Sequence, residues 1–185
     1  MSGAVTTDLP GPLAQLVADF ADLPAWERLG LLLELADELP EVPERYAGHR
    51  DRLEQVQECQ SPVFLAVEVG ADRGPGRDFD GGRGRDSDGG RGRDSPSRPD
   101  SDRAEDRLVR LVFDAPREAP TTRGFAGLLH AGLDGQSAGV VLAVPDDFPA
   151  RLGLTDLVSP LRMRGLSAML SRIKRQVREQ LASTS

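Results

Sequence analysis

Val56-Gln-Glu-Cys-Gln-Ser-Pro-Val-Phe-Leu-Ala-Val-Glu-Val69 holds the decisive transition of the chain. Its second half, Val63 to Val69, is dense in β-branched residues and reads as a strand. Its first half is polar, is closed by Pro62, and suits neither strand nor helix. Cys59, the only cysteine in the sequence, stands in that turn. A structural cysteine normally lies inside an apolar run, where it behaves as a small hydrophobe. Placed in a polar turn at the mouth of a strand, Cys59 reads as a reactive thiol, the alternative being a tolerated loop cysteine.

A second β-branched run, Leu108-Val-Arg-Leu-Val-Phe113, lies further on. Between the two strands, Gly70 to Arg107 forms a stretch of 38 residues with 9 Arg, 10 Asp or Glu and 9 Gly, in which only Ala71, Phe79 and Ala104 are apolar. An eight-residue unit, Asp80-Gly-Gly-Arg-Gly-Arg-Asp-Ser87, recurs at once as Asp88 to Ser95. With almost nothing to bury, such a segment cannot offset the entropy of ordering it, and the composition predicts disorder. The repeat is too short and polar to stack as a solenoid. An arginine-glycine tract for RNA is the functional alternative, and the matching acids speak against it. Between two strands, the segment is most simply an expanded hairpin loop, because closure entropy rises slowly with length. The folded domain is therefore expected over residues 12–182, interrupted by 70–107, with flexible tails at 1–11 and 183–185.

Helices are expected at both ends. Pro12 suits the first turn of a helix carrying Leu13, Leu16, Val17 and Phe20 on one face. Pro24 opens another, with Trp26, Leu29, Leu32, Leu33 and Ala36 turned inward and a stop at Leu39-Pro40. Thr121 or Thr122 is expected to cap a helix bearing Phe125, Leu128 and Leu129. Ser137 begins a further one through Val140, Val141 and Val144. In the last and clearest helix, Ser159 is the expected N-cap, Pro160 the first residue, and Leu166, Met169, Leu170, Ile173 and Val177 the apolar stripe. Trp26 and Met169 are both expected in the core. A short strand around Val56 would make the third of the sheet.

Composition narrows the function. The 185 residues carry 30 acids against 23 bases, for a net charge of −7, which argues against a nucleic-acid binder. One cysteine excludes an internal disulfide, a Cys-x-x-Cys redox pair and an all-cysteine metal site in one chain. The first apolar stretch is amphipathic and acidic where a leader would be basic, and Leu29 to Leu33 is far too short to cross a bilayer. A cytoplasmic protein without membrane association is expected. No glycine loop has the strand-to-helix setting that cradles a phosphate. A Cys-His thiol enzyme would need His130 or His49 near Cys59 and oriented by a third group. A zinc site from Cys59, His49, His130 and one carboxylate exists on count alone and lacks ligand spacing.

Four motifs in order carry a family resemblance. Glu58-Cys59-Gln60-Ser61 before Pro62-Val-Phe-Leu resembles the Cys-Gln-Ser turn of the SufE family of cysteine desulfurase sulfur acceptors. Trp26-Glu27-Arg28 leading into Leu35-Ala-Asp-Glu-Leu-Pro40 is similar to that family's second helix, and Arg123-Gly124 to its strand-to-helix step. Ser159-Pro-Leu-Arg-Met-Arg-Gly-Leu-Ser-Ala-Met169 resembles its Ser-x-x-Arg-x-x-Gly-Leu-x-x-Met pattern. Where many family members have Gly before the cysteine, this chain has Glu58.

The resemblance implies an α+β fold, a two-layer SufE/NifU-like domain with a three-stranded antiparallel sheet and helices packed on one face. Scaffolds of the related IscU/NifU type hold a cluster with three cysteines, so one cysteine does not fit a scaffold role. The implied function is that of a sulfur acceptor and carrier in iron–sulfur cluster assembly. Cys59 would take persulfide sulfur from a PLP-dependent cysteine desulfurase of the SufS type, stimulate that enzyme, and pass the sulfur to a SufBCD-type scaffold. Arg162, matched to the Ser-x-x-Arg position, would favour the thiolate or hold the persulfide. No cofactor is expected on this chain, since PLP belongs to the desulfurase, and a monomer or weak homodimer is implied. A non-catalytic adaptor that activates a desulfurase through its surface is the rival reading.

Overall fold

The computed structural model describes residues 8–70 and 103–183. Three strands, β1 (Glu54–Gln55), β2 (Phe64–Gly70) and β3 (Leu108–Asp114), form one antiparallel sheet in the order β1-β2-β3. The β2–β3 ladder runs from Phe64 opposite Asp114 to Gly70 opposite Leu108. Alternation along the two strands sorts their side chains. Leu65, Val67, Val109, Leu111 and Phe113 face the main core, while Ala66 and Val112 face a second, smaller cluster with Leu53, Val42 and Tyr46. Five helices, α1 (Gly11–Asp22), α2 (Ala25–Glu38), α3 (Pro120–Leu133), α4 (Ala138–Ala143) and α5 (Pro160–Ser183), complete the domain. Helices α3 and α5 pack on the core face of the sheet, and α1 and α2 pack on α3. The other face is covered by the chain between α2 and β1. There Arg45 and Tyr46 bond Glu68, and Arg50 lies 5.0 Å over the Phe64 ring while pairing with Asp114.

The expected third strand forms two residues early, at Glu54–Gln55, and Val56 continues the pairing with one bond, its N–H donating to Val63 at 2.8 Å. Beyond Leu65, where β1 no longer covers it, β2 is paired by a helix. Gln176 and Gln180 of α5 accept from the N–H groups of Val67 and Val69, both at 2.9 Å, and Gln180 donates back to the Val67 carbonyl at 2.6 Å. The outer edge of β3 is covered in part as well. Asp134 accepts from the Leu111 N–H at 2.7 Å, and the Val109 N–H donates to Gln136 at 2.8 Å.

Helix α2 faces differently from the expectation. Leu32, Leu35 and Ala36 are buried, whereas Leu33 and Trp26 point outward, Trp26 being 75% exposed. The reason lies on α3. A Cβ on Gly124 would stand 2.5 Å from the Leu32 carbonyl oxygen, and one on Gly127 would stand 2.0 Å from that of Leu35. These glycines let the two backbones nearly touch along the Leu32–Leu35 line. Trp26, six residues before Leu32, is about 120° around the helix from that contact and is left in solvent. Helix α3 also starts without the expected threonine cap. Pro120 takes the first position after Ala119, and Thr122 is buried inside the helix. In α4 the expected cap forms, Ser137 accepting from the Val140 N–H, although Val140 itself is 38% exposed. The stripe expected on α5 is buried in full.

Gly70 closes β2, and Ala104–Asp106 form a short turn beside α4, where a Cβ on Gly139 would stand 3.3 Å from that of Glu105. Both ends of the expected 70–107 insert thus belong to the folded body. Its remainder, with the tandem repeat, lies outside the described residues, as do 1–7 of the expected N-terminal tail.

Candidate functional site

Cys59 sits on the turn between β1 and β2. The turn is pinned at both ends by buried side chains, Val56 and Val63, and is closed by the Cys59 N–H donating to the Val56 carbonyl at 3.2 Å. Its thiol rests on the N-terminal half of α5. A Cβ on Gly165 would stand 3.0 Å from the Cys59 Sγ, tighter than nearly all real Cβ contacts, so the sulfur would have to give way. Gly165 is therefore the seat of the thiol, and the residue's cost to a helix, about 1 kcal/mol relative to Ala, fits a need for close approach.

The half-buried thiol is guarded electrostatically too. Burial pushes its pKa up to about 11, the Glu58 carboxylate adds repulsion, and Arg172 opposes both. Arg172 holds the turn from below: its Nη1 lies 2.8 Å from Glu58 and its Nε 3.1 Å from Glu54. Glu54 is itself tied to α5 by Gln176 at 2.8 Å and by Arg175. Burial raises the Glu54 pKa, but the bonds from Gln176 and Arg175 outweigh it and leave the carboxyl below its ordinary value.

Arg162 occupies the exposed first turn of α5, its backbone N–H 3.4 Å from the Ser159 hydroxyl. The guanidinium whose field reaches Cys59 is that of Arg172. Neither Gly165 nor Arg172 is assigned a role by the sequence reading. A glycine inside a long helix at an Arg-Gly-Leu step signals close packing, and the spacing Gly165, Met169, Arg172 places all three on one helical face. An acid next to a thiol, as at Glu58, likewise calls for a cation nearby. Among 22 arginines, no pattern singles that cation out.

The imidazoles are placed elsewhere. His49 is exposed, 4.0 Å from Asp51. His130 lines a separate cleft with Arg45, Glu68, Arg110 and Asp134. Burial holds its pKa below the ordinary value against the raising effect of Asp134, and Arg110 lowers it further. Neither imidazole is among the groups that shift Cys59. Among the described residues, no three His, Cys, Asp or Glu side chains come together in a way that suits a metal ion.

Other residues that carry the family resemblance serve the fold. Arg123 is buried and donates to three carbonyls, Ala36 at 2.8 Å, Ala115 at 2.8 Å and Leu39 at 3.0 Å. Arg28 ties the α1–α2 turn to a distant loop through Phe20, Leu23 and Gly153.

A two-layer α+β domain with its one thiol seated on a helix glycine defines a small thiol-bearing protein of the SufE/NifU-like fold. The Fe-S metabolism associated domain of the SufE family matches residues 14–81 and 100–177. An uncharacterised SufE-like protein of Mycobacterium tuberculosis is 46% identical over 171 residues, spanning 92% of this chain and 94% of that one. A second such protein, from Rhizobium meliloti, is 28% identical over 171 residues, 91% of this chain and 96% of its own. The solution structure of a hypothetical protein from Thermus thermophilus superposes with a TM-score of 0.64 at 36% identity, covering 94% of this chain and 98% of that one. The chain belongs to the SufE family, whose domain is associated with iron–sulfur metabolism. Among the described residues, no helix is long and apolar enough to cross a membrane.

Proposed function

We propose that this protein is a sulfur acceptor and carrier for iron–sulfur cluster assembly, with Cys59 as the atom-bearing site. The observation that carries the reading is the seat of Cys59, a lone thiol on a turn, held against Gly165 and kept protonated by its surroundings. The donor is a PLP-dependent cysteine desulfurase of the SufS type or a relative, and the receiver is a SufBCD-type scaffold in the cytoplasm. The Cys59 thiolate attacks the terminal sulfur of the enzyme persulfide. A new S–S bond forms, the old one breaks, and the enzyme's cysteine leaves as thiolate, so no outside oxidant or reductant is required. PLP and its chemistry stay on the desulfurase.

The resting environment suits a carrier that must not react with the wrong partner. At a pKa of about 11, only about one thiol in 10,000 is ionised at pH 7. At the ordinary value of 9.0 from which it is raised, about 1% would be ionised, so releasing the turn raises the reactive fraction on the order of 100-fold. Docking on the desulfurase is the event that releases it, and the proposed partner of the persulfide there is Arg162, which is exposed one turn before Gly165.

Incubation with desulfurase, PLP and cysteine should add the mass of one or more sulfur atoms to the peptide containing Cys59. Cys59→Ser should abolish the stimulation of the desulfurase. An unmodified peptide after many turnovers, or stimulation that survives Cys59→Ser, would leave the adaptor reading in its place.

A further inference from the structure

The turn that carries Cys59 is fastened by charge as well as by packing. Arg172 leans back along α5, its Nη1 3.5 Å from the Ala168 carbonyl, the direction a long helical side chain takes. That posture carries its guanidinium towards the Cys59 turn, where Glu58 meets it at 2.8 Å. Glu54 of β1 flanks the same group, with Arg175 of α5 behind it, and Arg175 also pairs with Glu179 at 2.7 Å. Arg162 of α5 lies exposed one turn before Gly165, and among the described residues Glu58 and Arg172 are the charges that shift Cys59 itself. Arg172 is not fully used by Glu58 and Glu54. Its Nε is buried with no aligned hydrogen-bond acceptor, although Glu54 Oε1 is 3.1 Å away. A guanidinium has five donors in a fixed fork, so the group that meets Glu58 and Glu54 can serve another anion of the same turn once Glu58 leaves it.

We propose that Glu58 is an internal competitor for Arg172: while Glu58 holds the guanidinium, Cys59 stays a thiol, and release of Glu58 gives Arg172 to the Cys59 thiolate and then to its perthiolate. The perthiolate half rests on the sulfur-acceptor reading, and the thiolate half stands without it. Ionisation sends the thiol proton to solvent, and the positive guanidinium replaces the lost hydration of the sulfur anion. Arg172 is thus a positioning residue in the closed form and an anion holder in the open one. The same glutamate that repels the thiolate also occupies the cation that would stabilise it, so a single displacement removes both obstacles.

The test is the pH–rate profile of iodoacetamide alkylation, which reads Cys59 alone because the chain has one cysteine. It requires neither desulfurase nor sulfur transfer, so it fails or succeeds independently of the proposed function. Glu58→Gln should lower the alkylation midpoint by about one pH unit, seen as a roughly tenfold faster rate below the midpoint. In an Arg172→Gln background only the direct repulsion by Glu58 is left to remove, so the same change should give a clearly smaller gain, and with Arg172→Lys most of the difference should return. A second measurement needs only Glu58→Gln, in case loss of Arg172 prevents folding. With the carboxylate gone, attraction to Arg172 is the remaining charge effect, so added salt should raise the midpoint of that variant while lowering that of the parent chain. Equal rate gains from Glu58→Gln with and without Arg172 would overturn the proposal. So would a Glu58→Gln midpoint that stays flat or falls with salt.

Discussion

Replacing Gly165 by Ala tests whether the thiol really rests on α5. Removing a mid-helix glycine should stabilise the helix by about 0.5–1 kcal/mol. At Gly165 that gain meets an obstacle, since the new Cβ would stand 3.0 Å from the Cys59 Sγ. The next atoms, the Cys59 Cα at 3.8 Å and the Glu58 carbonyl oxygen at 3.9 Å, are in ordinary contact, so the sulfur alone stands in the way. Displacing it forces an off-rotamer side chain or a shift of the turn, costing about 1–3 kcal/mol as overpacking does. The net effect in the parent chain is then a loss of about 1 kcal/mol. In a Cys59→Ala background the obstacle is gone, and Gly165→Ala should gain about 0.5–1 kcal/mol, for a coupling of roughly 1.5–2 kcal/mol. Gly30→Ala calibrates the helix gain, because Gly30 lies in α2 with nothing within 4 Å of its Cβ position. The four members of the cycle are compared by urea and thermal unfolding, where 1 kcal/mol moves the midpoint by about 2–4 °C in a chain of this size. Equal shifts from Gly165→Ala in both backgrounds, additive to within about 0.3–0.5 kcal/mol, would refute the contact.

Arg123→Met should destabilise the fold by about 3–5 kcal/mol, because it orphans three buried carbonyls at once; a loss below about 1 kcal/mol by urea unfolding would contradict those bonds. Trp26, the single tryptophan, should emit like an indole in water and be quenched fully by acrylamide, and Trp26→Ala should change stability by less than about 0.5 kcal/mol. Blue-shifted, protected emission would mean that its face is covered. Deleting residues 71–102 joins Gly70 to Arg103 and leaves 103–107 to span the paired Gly70 and Leu108, so the melting midpoint should stay within a few degrees. A collapse of the midpoint would show that the removed residues support the domain.

The hairpin and the last helix were readable because their signals are local. The β-branched runs Val63–Val69 and Leu108–Phe113 mark their own strands, and the stripe from Leu166 to Val177 fixes its own buried face. Helix α2 was ambiguous for the opposite reason. Its sequence offers two overlapping stripes, Trp26-Leu29-Leu33 and Leu29-Leu32-Leu35-Ala36, and the choice is made by Gly124 and Gly127, far along the chain. The thiol's place in a turn was legible, since Pro62 and the polar run mark it. Its seat and its cation were not, because Gly165 and Arg172 meet Cys59 only when α5 is laid beside β2.

The glutamines on α5 have a consequence for where the sulfur sits. Four residues of helix advance about 6.0 Å, and two residues of strand about 6.6 Å, so Gln176 and Gln180 can meet Val67 and Val69 as teeth of nearly matching pitch. The mismatch of about 0.6 Å per step is small enough for one repeat and would accumulate over several. One repeat suffices to set the phase of the helix against the strand. Gly165 lies about three turns upstream of Gln176, on nearly the same side of α5. If the helix slid by one turn, Leu161 or Met169 would arrive under the sulfur, and neither leaves room for it. Two amide side chains at the far end of the sheet thus act as a detent, and the thiol's resting place is an address counted off along the helix from there.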